Sequence, residues 1–113
     1  MSFTSLISQS SGIKYAAINV GSSGNNTLIS AASGKRLIIL ACVLVSSGAV
    51  NVEFQDGVSG TPLSGAMNLT TNSGFTLPFS EGGWGETSQG VLLNLNLSSA
   101  TAVDGMLVYC EIA

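Results

Sequence analysis

Leu37-Ile38-Ile39-Leu40-Ala41-Cys42-Val43-Leu44-Val45 is a run of nine apolar residues, introduced by Gly34-Lys35-Arg36 and stopped by Ser46-Ser47-Gly48. A short run rich in β-branched residues and bounded by turn formers reads as a strand buried on both faces. It falls well short of the ~20 residues that a helix needs to cross a bilayer. As a helix it would be apolar on every side and would run into two serines and a glycine. The run is therefore read as the central strand of an all-β domain, and the remainder of the chain as its cover.

Working outward, Val50-Asn51-Val52-Glu53-Phe54-Gln55 alternates strictly, so Val50, Val52 and Phe54 point inward. The link over residues 46–49 has hairpin length, which predicts antiparallel pairing of this strand with the central one. Upstream, residues 13–20 form a first strand, residues 21–26 a turn and residues 27–30 a second strand. Downstream, short strands are expected at 61–63, 66–69 and 75–77. Residues 91–98 place Val91, Leu93, Leu95 and Leu97 on one face, opposite Asn94, Asn96 and Ser98. The last strand, 105–112, carries Met106, Val108, Cys110 and Ile112 on one face and Leu107, Tyr109 and Glu111 on the other. About seven or eight strands separated by short turns predict an antiparallel β-sandwich of jelly-roll type. The organisation expected is a Ser-rich arm over 1–12 and a single sandwich domain over 13–113. Within the arm, Phe3, Leu6 and Ile7 are the apolar anchors if it lies along a neighbour rather than being disordered.

Charged residues make up only 8% of the 113, against about 25% in a typical soluble domain. A surface of Ser, Thr, Asn and Gly is poorly defended against association, which points to an assembly. With only Lys14, Lys35 and Arg36 positive and a net charge of −3, neither a nucleic-acid track nor a polybasic membrane patch is expected. Residues 1–8 lack a signal peptide's positive and apolar regions, so synthesis and retention in a cytoplasm, or release by lysis, is the expectation.

The same composition argues against an enzyme. There is no histidine, so the serines and two cysteines lack the usual activating base. Neither a G-x-S-x-G elbow nor a phosphate loop is present. The carboxylate pairs Glu81/Glu86 and Glu53/Asp56 lack an acid–base partner, and no calcium-loop motif accompanies Asp56 or Asp104. No catalytic residue, cofactor or metal is predicted. Cys42 and Cys110 read as small buried hydrophobes; a disulfide would need adjacent strands with facing sulfurs. Trp84, among glycines and near Phe75 and Phe79, is either a sugar-stacking platform or a contact residue at a sandwich end or subunit interface, the second being favoured.

One resemblance covers about two-thirds of the chain. It is carried by Gly34-Lys35-Arg36-Leu37, Val50-Asn51-Val52-Glu53-Phe54, Leu63-Ser64-Gly65-Ala66-Met67, Gly74-Phe75-Thr76-Leu77-Pro78-Phe79, Gly83-Trp84-Gly85-Glu86-Thr87 and Leu93-Asn94-Leu95-Asn96-Leu97-Ser98. In these stretches the chain resembles small β-sandwich virion proteins of tailed bacteriophages, of the capsid decoration (cement) or head-fibre type. The resemblance implies a homotrimer made in the host cytoplasm, located on the virion and bound to the major capsid protein. A glycan- or receptor-binding module of a fibre or tail is the alternative it allows. The expected interface comprises Phe3, Leu6, Ile7, Trp84 and the second apolar face of the central strand, taken as Ile38, Leu40 and Leu44. For that face, whose exposure would forfeit several kcal/mol, the cover is either a subunit interface or the long 58–88 segment.

Overall fold

A computed structural model describes residues 12–113. Phe3, Leu6 and Ile7 lie outside the described residues. The elements are β1 (Lys14–Val20), β2 (Gly24–Ile29), β3 (Arg36–Ser46), β4 (Val50–Asp56), β5 (Thr61–Pro62), β6 (Met67–Leu69), β7 (Gly74–Leu77), β8 (Gly85–Glu86), β9 (Leu93–Leu97) and β10 (Val103–Ile112). All strand pairs are antiparallel and the described residues contain no helix.

The topology is that of a long two-stranded ribbon wound into two sheets. β1 pairs β10, β2 pairs β9, β3 pairs β7 and β8, and β4 pairs β5 and β6. Winding then brings β10 beside β3 and β9 beside β4. The first sheet runs β1-β10-β3-β7, with β8 also on β3; the second runs β2-β9-β4-β5, with β6 also on β4. Counting β5 with β6 and β7 with β8 leaves eight strand positions in jelly-roll order. The all-β sandwich expected from the sequence is thus the fold.

The expected hairpin between β3 and β4 does not form, because these strands belong to opposite sheets. Both edges of β3 are occupied, one by β10 and the other by β7 and β8, and both edges of β4 by β9 and by β5 and β6. Residues 47–49 carry the chain across the sandwich instead. The Ser46 hydroxyl and amide tie the start of this arch to the carbonyls of Thr70 and Ser73. Strand limits also move: β2 begins at Gly24 inside the expected turn, and β10 begins at Val103.

The inner faces of the two sheets supply the core. Leu37, Ile39, Cys42 and Leu44 of β3 meet Val50, Val52 and Phe54 of β4 and Leu93, Leu95 and Leu97 of β9, joined by Ile18, Val103 and Leu107. Phe54 and Phe75 span the layers edge to face, with ring centroids 6.5 Å apart.

A β-bulge corrects the expected second face of the central strand. Val108 lies opposite Ala41 and Tyr109 opposite Ile39, which leaves Leu40 as an extra residue. The extra residue switches the alternation: Leu37 and Ile39 face inward before it, and Cys42 and Leu44 after it. Ile38, Leu40 and Leu44 therefore do not share a face. Leu44 belongs to the inner core, while Ile38 and Leu40 form a separate outer cluster with Cys110 and Ile112.

That outer cluster is already covered in the single chain, with Leu40 at 0% exposure. Residues 78–84 run along this part of β3: the Ser80 amide donates to the Leu40 carbonyl and the Trp84 amide to the Ile39 carbonyl. Gly83, at a φ of 81°, presses its backbone against Ile38, where a β-carbon would lie 2.6 Å from Cγ2. Leu40→Glu should consequently unfold the chain itself rather than merely dissociate an oligomer. A loss of several kcal/mol is expected from burying an unpaired carboxylate, visible as a large drop in Tm at every protein concentration. A folded monomer carrying Leu40→Glu would contradict this assignment.

Candidate interaction surfaces

The two outer faces of the sandwich have opposite characters. On the first sheet, Tyr15 stands beside Val108 and Ala41 in one row. The next row holds Ala17, Met106, Val43 and Thr76. Val45 follows, with Asp104 and Asn19 closing that end. Tyr15 is 70% exposed, and Val43, Val45, Met106 and Phe79 are exposed large apolar side chains as well. Between Met106 and Phe79 the strip dips into a shallow groove of about 260 Å³ lined by Val43, Thr76, Pro78 and Val108. The strip is apolar because β3 is apolar on both faces and the bulge turns Val43 and Val45 outward.

The outer face of the second sheet is an amide lattice. Asn25 pairs with Asn96 and Thr27 with Asn94, while Glu53 and Gln55 of β4 lie across from Asn96 and Asn94. Asn94 is completely buried at its centre. Its Nδ2 donates to Asn25 Oδ1 at 2.8 Å and to Gln55 Oε1 at 2.9 Å, and its Oδ1 accepts the Asn26 amide at 2.8 Å. Gln55 in turn donates to Glu53 at 2.7 Å. Asn25 and Ser59 exchange two hydrogen bonds that draw the 57–60 turn over the lattice. Polar groups satisfied in this way are costly to expose and costly to leave half-paired. Asn94→Ala would strand the Gln55 carbonyl oxygen and the Asn26 amide, and should lower the unfolding free energy by about 1–3 kcal/mol. Urea denaturation reads this directly; a change below a few tenths of a kcal/mol would show that the lattice is not a stabilising unit.

A third feature opens at the long side of the sandwich where β5/β6 and β7/β8 face each other. Ile39, Phe54, Leu63, Ser64, Met67, Phe75, Leu77, Trp84 and Gly85 line an apolar cleft of about 120 Å³. Trp84 is 47% exposed at its rim. The indole Nε1 donates to the Pro78 carbonyl at 2.7 Å, which fixes the ring and commits its only donor.

Of the acidic residues considered for catalysis, Glu86 pairs with Arg36 at 3.0 Å and Glu53 accepts from Gln55; outside that set, Glu111 pairs with Lys14 at 3.4 Å. Asp56 accepts both the amide and the hydroxyl of Ser88, linking β4 to the loop after β8. Among the described residues, no group of three or more His, Cys, Asp or Glu is placed to hold a metal ion.

Cys42 and Cys110 lie in different clusters on opposite faces of the first sheet and form no disulfide. Burial pushes the Cys42 thiol from its ordinary value near 9 up to about 11. Well below pH 9 the thiol is protonated whether folded or unfolded, so its contribution to stability is constant there. As pH rises from 9 towards 11 only the unfolded chain ionises, and stability falls by up to about 1.4 kcal/mol per pH unit. The decline should be shallower in Cys42→Ala when both are denatured in urea between pH 7 and 10.5; parallel curves would contradict it.

Of the residues expected at an interface, Ile38 and Leu40 come together in a covered cluster, Leu44 is in the core, and Trp84 stands at the cleft. The exposed strip of Tyr15, Val43, Val45, Met106 and Phe79 is not among them. The alternation of the last strand already put Met106 and Val108 on one face, but nine apolar residues in a row concealed which residues of β3 join them. Comparisons with protein-family models, curated proteins and solved structures return no match to the chain.

Proposed function

We propose that this protein is a structural subunit of a tailed-phage particle, a homotrimeric decoration (cement) protein that binds the major capsid protein and stabilises the head. The observation that carries the assembly part is the uncharged apolar strip on the outer face of the first sheet, set against the amide lattice on the second. An apolar strip on one face only is a means of association with defined orientation. The virion setting comes from the sequence resemblance; the jelly-roll architecture is compatible with it but hosts many functions. In this reading the strip is a subunit or capsid contact, and the covered cluster around Leu40 stabilises each subunit before assembly.

The glycan-binding alternative is weaker. Trp84 offers a half-exposed ring, but its indole N–H is committed to Pro78 and the cleft beside it is almost wholly apolar. Sugar sites add convergent polar groups to a stacking ring.

Two measurements test the proposal. The wild-type chain at tens of micromolar should have a trimer's mass by light scattering, and Val43→Lys with Met106→Lys should yield folded monomer with little change in Tm. A wild-type monomer would overturn the trimer. Particles lacking the protein should release DNA at lower temperature or milder osmotic shock than complete ones; identical particle stability would overturn the cement role.

A further inference from the structure

The apolar cleft beside Trp84 adjoins the exposed strip at β7, with Leu77 lining both the cleft and the strip's groove, but it opens between the two sheets and has properties of its own. It sits between the outermost strands of the two sheets, β5/β6 and β7/β8. Each of these strands is interrupted beside it, β5/β6 by residues 63–66 and β7/β8 by residues 78–84. The interruptions part the two sheet edges and leave the partly buried Phe75, Met67 and Leu77 as walls, with the core residue Phe54 also in the lining.

Complementarity decides what such a cleft accepts. No charged side chain lines it. Its polar groups are already engaged within the fold: Ser64 Oγ donates to the Gly65 carbonyl and accepts the Phe54 amide, and Trp84 Nε1 donates to Pro78. A hydroxylated or charged group entering here would give up hydrogen bonds to water with little offered in return. An apolar group would gain by the same transfer. A volume of about 120 Å³ suits one branched aliphatic or single-ring side chain. The flanking strand β7 ends its sheet, and such an edge is where an extended polypeptide adds by main-chain hydrogen bonding while alternate side chains fill pockets. A free small molecule would make no use of that edge.

We infer that the cleft is a docking site for an extended, uncharged segment of a partner polypeptide, which lies along β7 and inserts one leucine-, methionine- or phenylalanine-sized side chain against Trp84. The inference does not rest on the trimer or capsid reading, although the site borders the strip proposed above as a contact through Leu77 of β7.

The test uses the full chain, whose single tryptophan reports on the cleft. The probes are uncharged heptapeptide pools fixed at the centre as Leu, Met, Phe, Ser or Asp. Pools with an apolar centre should shift Trp84 emission and bind at least about tenfold more tightly than those with Ser or Asp. Gly85→Leu should abolish the response by filling the cleft from within. A β-carbon at position 85 meets only ordinary contact, 3.8 Å from Leu63 Cβ, so this variant should fold, as far-UV circular dichroism and Tm will show. If Gly85→Leu does not fold, Leu63→Phe serves the same purpose from the opposite wall. Equal binding of all pools, or binding that survives a filled cleft, would overturn the proposal. Response to toluene without response to any pool would overturn it in favour of a small-molecule pocket, and response to simple sugars alone would overturn it in favour of a glycan site.

Discussion

A strand that is apolar on both faces calls for two covers, and within the chain β3 receives the second over only part of its length. The single extra residue at Leu40 divides it. Before the bulge, the outward residues Ile38 and Leu40 are closed over within the chain, with residues 78–84 crossing beside them. After it, the outward residues are Val43 and Val45, which stay exposed. The bulge thereby separates a folding function from a surface function on the same face of the same sheet. The loop that meets Ile38 through Gly83 is also the loop that sets Trp84 at the cleft. Cover and cleft are two consequences of one excursion in an edge strand.

The second sheet solves the opposite problem. Its strands β4 and β9 carry polar residues on the outer side, so that face is polar and needs hydrogen-bond partners rather than a hydrophobic cover. Asn94, Asn25, Gln55 and Glu53 provide these for one another. An amide lattice satisfied within the chain gives an incoming apolar surface little to gain, because its groups would have to be desolvated without new partners. The two faces are thus distinguished by what they present: a contiguous apolar strip on the first sheet, and on the second an amide lattice with Val58 of the 57–60 turn as an exposed apolar side chain. This asymmetry gives any assembly through the first sheet a defined orientation, which a uniformly Ser- and Thr-coated sandwich would lack.

Much of this was legible from residue order. The alternation of Val50, Val52 and Phe54 and of Leu93, Leu95 and Leu97 placed those side chains in the core correctly, because period-two patterns survive wherever one face is wet. The nine-residue run identified the central strand for the converse reason, being wet on neither face by composition. That run was also where the reading failed. When every residue is apolar, alternation carries no information, and a one-residue bulge that reverses it leaves no trace. Pattern alone therefore sets Leu44 outward and gives no sign of Val43 and Val45, whereas the structure buries Leu44 and exposes the two valines. The hairpin assigned to residues 46–49 failed because a four-residue link suits both a hairpin and an arch, and only the competition for the edges of β3 decides between them.

By itself, then, the sequence determined the fold class, the core faces of the alternating strands, the scarcity of charge and the absence of histidine. Each of these follows from local pattern or from composition. The tertiary structure decided the pairing of the strands, the phase of β3 on either side of Leu40, the burial of Asn94 and the union of Trp84 with Phe54, Phe75 and Met67 at one cleft. These depend on residues far apart in the chain competing for the same neighbours, and no local window contains that competition. The run from Leu37 to Val45 shows both sides of this: its composition made it a strand apolar on both faces, and the register of β10 against it set which half is closed and which half stays open.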